Sequence, residues 1–333
     1  MSSRRLLSLA SVAALTLSAP ACTIQHRAQM ASSSGMDDHM MGMTAAEMAA
    51  PYIQPSTDPQ GTEGLPPSAN TAAARIANSP RHAEWVKIAW EPGSSDSLMA
   101  WIVYPVTSRP HTPVVVVVHE IFGLSTWVRG VADQVAADGF IAIAPDLLSR
   151  VRGGPSTTEL TADSARKIIR GVSTAERAQG ITAAARYAMS QPSAAQRYAV
   201  IGFCWGGTTT WDYVINQGMN GFAGGVAYYG LPYMQGSVPI ADSLAKIRVP
   251  VMLLSGAKDA RIGAAMPAVD SAMHAMDKNY FGKNYPGAIH GFLRAQDNPG
   301  RRADPATQAA NLSATKDAWP RTVAFLKKQL GLD

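Results

Sequence analysis

Ala199-Val200-Ile201-Gly202-Phe203-Cys204-Trp205-Gly206-Gly207 runs from an apolar, partly β-branched segment straight into a helix-like sequence over 207–218. A strand that feeds directly into a helix leaves the residue at the junction in a sharp, strained turn. There a neighbouring side chain would collide with the adjoining backbone, which is why glycine flanks it. The turn also aims Cys204 at the N-terminus of the helix, whose partial positive charge favours a thiolate. The pattern is Gly-x-nucleophile-x-Gly, with Cys where Ser commonly stands. A buried Cys between a strand and a helix also serves as a small core hydrophobe, so the distinction rests on which partners the rest of the chain supplies.

Working outward, alternating or continuous apolar runs predict strands at 84–90, 98–104, 113–119, 140–144, 198–203, 224–229, 249–255 and 280–286. The valines at 114–118 form the continuous run expected of a strand buried on both faces. Helix-like stretches lie near 127–138, 160–190, 207–218, 262–277 and 306–330. Strands that alternate with helices imply a mostly parallel sheet of about eight strands, covered by helices on both faces. In such a sheet the acid follows a later strand and the base follows the last one. The strand at 249–255 ends in Ser255-Gly256-Ala257-Lys258-Asp259, which puts Asp259 on the acid's loop. Tyr285-Pro286-Gly287-Ala288-Ile289-His290 puts His290 on the closing loop. Asp259 also reads as a turn residue or helix N-cap, and a lone His is commonly structural. Three such residues in this order favour a nucleophile, acid and base. The backbone N–H of Trp205 is then the first expected oxyanion donor, and that of Ile121, on the loop after the third strand, the second.

The 333 residues suffice for one substantial domain with an appended segment. A net charge of +5, with no basic cluster interleaved with aromatics, argues against a nucleic-acid partner. Arg4 and Arg5, the apolar run at 6–17 and Ala19-Pro20-Ala21 read as an export signal ending at residue 21. Cys22 follows the cleavage site, where a lipid anchor would be attached; membrane tethering through it and plain secretion to the periplasm both stand. Residues 22–80 read as a flexible linker and 81–333 as the domain. Met36, His39, Met40, Met41 and Met43 suit soft-metal ligation, but a solvated tail is the favoured reading. No metal or cofactor is expected, and nothing calls for a second copy, so a monomer is expected.

Over roughly 85–333 the chain resembles the dienelactone hydrolase (carboxymethylenebutenolidase) family, members of the α/β-hydrolase fold. The matching pieces are Gly202-Phe203-Cys204-Trp205-Gly206-Gly207, His119-Glu120-Ile121-Phe122-Gly123-Leu124 with Arg129 beyond it, Ala144-Pro145-Asp146-Leu147-Leu148-Ser149-Arg150, Tyr228-Tyr229-Gly230, and His290-Gly291-Phe292-Leu293-Arg294. Leu148 stands where the family carries a tyrosine, and the segment 151–176 departs from its better-known members. The resemblance implies that Glu120 sits against Cys204 and helps activate the thiol when substrate arrives. Read alone, Glu120 is a helix cap or an ion-pair partner of Arg129. The resemblance also implies that Arg150 and Arg294 grip a substrate carboxylate. Tyr228 is a substrate-side candidate as well, although Tyr228 and Tyr229 both read more readily as core residues with one wet hydroxyl. The expected activity is hydrolysis of a small, carboxylate-bearing ester or lactone through a Cys-His-Asp triad and a thioester. Its rivals are a broad carboxylesterase or thioesterase on the same machinery, and a non-catalytic exported binding lipoprotein.

Overall fold

The computed structural model describes residues 61–107, 109–156, 161–216, 218–297 and 305–332. The expected export signal, Cys22 and the Met/His-rich stretch lie outside the described residues. Helix α1 (Ala72–Ala77) precedes strands β1 (Ala83–Ala89), β2 (Ser97–Val103) and β3 (Thr112–Val118). Then come α2 (Thr126–Ala137), β4 (Ile141–Pro145), α3 (Ser149–Arg152), α4 (Ala162–Arg170), α5 (Thr174–Met189), β5 (Ala194–Phe203), α6 (Trp205–Ile215) and β6 (Phe222–Tyr228). A short ribbon, β7 (Met234–Gln235) and β8 (Val238–Pro239), leads to α7 (Ala241–Ala245), β9 (Val251–Gly256), α8 (Ala260–Ala275), β10 (Tyr280–Tyr285) and α9 (Pro305–Leu330).

Eight strands form one sheet in the order β1-β2-β4-β3-β5-β6-β9-β10. The pairs β1–β2 and β2–β4 are antiparallel. Every pair from β4 across to β10 is parallel. The β3 valines show why a parallel strand needs no polar face. Val115 and Val117 pack with Trp127 and Val128 of α2 and Trp319 of α9, while Val114, Val116 and Val118 pack with Ile181 and Ala184 of α5. Successive side chains point to opposite faces, so one unbroken apolar run serves two cores.

Two expectations change. The helical stretch near 160–190 is two helices, parted at Gly171-Val172-Ser173, because Ser173 and Glu176 form a reciprocal capping box that starts α5. The linker is not flexible as far as residue 80. Leu65 and Ala72 are buried core, the Trp127 indole N–H donates to Pro67 O at 2.9 Å, and Ala69 N–H donates to Arg294 O at 3.0 Å. The run 61–78 reads as a linker in sequence because its buried residues, apart from Leu65 and Arg75, are small or proline and show no period. No described helix is long and apolar enough to cross a membrane.

Candidate active site

The parallel strands β3, β5, β6 and β9 deliver their C-terminal ends to one rim of the sheet, and the candidate residues sit on the loops that leave it. Cys204 joins β5 to α6 at φ 56°, a left-handed conformation that costs a non-glycine residue of order 1–3 kcal/mol. Packing on all sides holds it there. A Cβ on Gly202 would collide with the Gly206 carbonyl, and one on Gly206 with the carbonyls of Val118 and His119. Cys204 N–H donates to Tyr228 O at 3.0 Å, which anchors the elbow to β6. Cys204 is 4% exposed.

Asp259 has two tasks. Its Oδ1 accepts from Arg261 N and Ile262 N at 3.2 and 3.0 Å, capping α8, while its Oδ2 stands 2.5 Å from His290 Nδ1. The N-cap reading and the acid reading therefore hold together. On the other side of the ring, His290 Nε2 is buried without a well-aligned partner, and Cys204 is the neighbour that acts on the imidazole. Burial alone would lower the His290 pKa. The charge of Cys204, hydrogen bonds to Asp259 and Cys204, and the Asp259 charge outweigh it and push the value up to about 10. The order sulfur, imidazole, carboxylate thus has the neighbours a proton relay needs.

Glu120, 3% exposed, faces the same cluster. Its ion-pair partner is not Arg129 but Arg294, with Nε 3.2 Å from Oε1. The contact is an ion pair in which the Nε–H and the carboxylate oxygen are not aligned for a hydrogen bond. Burial raises the Glu120 pKa, while the charges of Arg294 and His290 oppose that rise. Arg129 instead lies over Trp85 and Trp101, 5.6 and 5.2 Å from the ring centroids, and Nη2 donates to Thr126 Oγ1 at 3.2 Å. Two tryptophans on neighbouring strands offer a cation a closer home than a carboxylate across the loop. Arg150 keeps other company: it stacks on Trp90 at 3.8 Å, pairs with Asp96 and lies 3.8 Å from Glu176. None of these three belongs to the Cys204 cluster.

Tyr228 is wholly buried, and its hydroxyl shares a 2.7 Å hydrogen bond with Thr322 Oγ1 of α9; it is a joint between strand and helix. Tyr229, next along the chain, faces the cluster. It sits at φ 39°, its ring lies 5.0 Å from that of His290, and its hydroxyl is buried with no hydrogen-bond partner among the described residues. Burial first, then the charges of Glu120, Tyr228 and Cys204, raise its pKa well above that of an ordinary phenol. The Tyr-Tyr-Gly match pointed to both tyrosines, and strand alternation was the available signal that only one could face the rim.

The N–H groups of Ile121 and Trp205 donate to no carbonyl or side chain among the described residues. His119, which sequence reading passed over, touches both loops: its ring stacks on Trp205 at 5.3 Å and 21°. Asp146 pins the next loop, accepting from Leu148 N at 3.2 Å and Ser156 Oγ at 2.8 Å. No cluster of three or more potential metal ligands occurs among the described residues.

Comparison with known proteins identifies the family. A model of the dienelactone hydrolase family matches residues 98–330. A protein of Methylorubrum extorquens named "Putative carboxymethylenebutenolidase" is 30% identical over 262 residues, covering 77% of this chain and 84% of its own. A protein of the same name from Salmonella typhimurium is 27% identical over 274 residues, covering 80% and 96%. The crystal structure of a "Putative Dienelactone Hydrolase" from Klebsiella pneumoniae superposes with a TM-score of 0.59 at 25% identity, covering 74% of this chain and 99% of the other.

Proposed function

The chain belongs to the dienelactone hydrolase family, and from that premise we propose that it opens a small ester or lactone by acyl transfer through Cys204, with His290 as base and Asp259 as its orienting acid. The observation that carries this reading is the shared imidazole: Asp259 Oδ2 lies 2.5 Å from one nitrogen while Cys204 acts on the same ring through charge and hydrogen bonding. His290 takes the thiol proton, the sulfur adds to the carbonyl carbon, and the oxyanion is met by the N–H groups of Ile121 and Trp205. Collapse expels the alkoxide, which receives the proton from His290. Water, deprotonated by His290, then cleaves the thioester and returns Cys204 to the thiol.

Arg294 is the anchor for a substrate carboxylate. It is 28% exposed at the edge of the cluster and offers a guanidinium whose present partner is Glu120. A carboxylate that takes Arg294 releases Glu120 toward the Cys204–His290 pair, where its charge favours the imidazolium that forms as the thiol proton moves to His290. Arg150 contributes less, since Asp96, Glu176 and Trp90 already engage it. That engagement favours the second reading, a broad carboxylesterase or thioesterase, for substrates without two carboxylates. Turnover of a carboxylate-bearing lactone and of p-nitrophenyl acetate by wild type and Cys204→Ala tests the proposal: the variant is expected to lose both activities, and equal rates in the two proteins would overturn it.

A further inference from the structure

His119 lies wholly buried between the loop after β3, the loop after β4 and the elbow. Its Nδ1 stands 2.7 Å from Glu120 O, an atom that can only accept, so Nδ1 carries the hydrogen. Its Nε2 receives the Leu147 N–H at 3.2 Å, so that nitrogen carries none. The imidazole is thus a neutral tautomer fixed from both sides. Burial lowers its pKa, which keeps it neutral.

The acceptor is the carbonyl of the Glu120–Ile121 peptide. In a planar trans peptide the C=O and N–H point in opposite directions, so whatever grips Glu120 O aims Ile121 N–H the other way. Gly123 N–H also reaches Glu120 O, at 3.2 Å, but the His119 contact is the shorter. The same ring lies against Trp205 at 5.3 Å, the residue that carries the other unengaged N–H. We propose that His119 is the positioning residue for both oxyanion donors, orienting the Ile121 N–H through its peptide plane and the Trp205 N–H through ring stacking. It touches no substrate atom; it acts by holding donors in place before charge develops, which is where such donors gain their effect. This rests on the acyl-transfer reading above.

The test compares an oxyanion-forming reaction with one that forms none. His119→Phe keeps a flat ring against Trp205 and removes both hydrogen bonds. Its kcat for p-nitrophenyl acetate is expected to fall at least about tenfold, approaching the ~100-fold loss of a deleted donor, with KM within about twofold. Alkylation of Cys204 by iodoacetamide, which passes through no oxyanion, should stay within about twofold of wild type. A second pair guards against misfolding. His119→Asn places its amide N–H near the position of Nδ1, whereas His119→Gln reaches toward that of Nε2, so Asn should keep the higher kcat. An undiminished kcat in His119→Phe, a parallel loss of kcat and alkylation, or Gln outperforming Asn would each overturn the inference. Absence of turnover in wild type, or full activity in Cys204→Ala, would instead remove the acyl-transfer reading on which it rests.

Discussion

Because Oδ1 of Asp259 caps α8 and Oδ2 holds His290, one substitution separates the cap from the buried pair. Asn caps a helix about as well as Asp, so Asp259→Asn should keep the start of α8 while losing, at pH 7, the stability that the Asp259 bond and charge supply through His290. The amide cannot hold the imidazole as a cation, and under the proposed mechanism loss of the orienting acid costs kcat on the order of 10³- to 10⁴-fold. The pH response follows from His290, whose folded pKa is raised to about 10 from an ordinary 6.5. A base with a raised folded pKa stabilises the fold fully below its unfolded pKa, and that contribution is lost as pH rises through the folded one. The Asp259 bond and charge are among the causes of the rise, so the alkaline limb of kcat/KM should move to lower pH in the variant. Rate profiles from pH 6 to 10 with thermal midpoints check this, and an unmoved limb would show that Asp259 does not govern the imidazole. The places of Cys204, Asp259 and His290 in the fold were legible in the sequence because each lies on the loop that follows a recognisable strand. His119 and Tyr229 were not, since what they do depends on Leu147, Trp205 and Glu120, which only folding brings to them.

At the scale of elements, all eight strands of the sheet were predicted, because buried parallel strands carry their signal in unbroken apolar runs such as 114–118. The short pieces escaped. Helices α3 and α7, with four and five residues, are too brief to show a period, and the α4–α5 break rests on the Ser173–Glu176 cap rather than on hydrophobicity. Side-chain direction was the other blind spot, and Tyr228 shows its consequence. Its ring belongs to β6, but its hydroxyl closes on Thr322 at 2.7 Å, a contact that joins strand to α9. Tyr228→Phe leaves Thr322 without that partner and should cost about 1–2 kcal/mol of stability, while kcat/KM for ester substrates stays near the wild-type value. Denaturant midpoints and steady-state rates separate the two; a large loss of kcat/KM with unchanged stability would return Tyr228 to the substrate side.

The whole molecule does not begin where composition suggested. A boundary at residue 80 cuts away the segment that closes the face of α2 and braces the loop that carries His290 and Arg294. Hydrogen bonds that cross that cut include Ala69 N to Arg294 O at 3.0 Å, Trp127 Nε1 to Pro67 O at 2.9 Å, Gln296 Nε2 to Pro66 O at 2.8 Å, and Arg75 Nη1 to Gln134 Oε1 at 2.8 Å. At about 1 kcal/mol each, with a further ~2 kcal/mol for burying Leu65, the segment contributes on the order of 5 kcal/mol. A chain that starts at residue 81 should therefore melt roughly 10–20 °C below one that starts at residue 61. Activity should suffer as well, because Trp127 packs edge-on against Phe203 at 5.1 Å, one residue before Cys204, the proposed nucleophile, and loses its own anchor to Pro67. Calorimetry of the two chains, with p-nitrophenyl acetate turnover measured at 25 °C, decides it. Equal melting points would mean that 61–80 merely rests on the domain, and that the boundary first drawn from composition was the functional one.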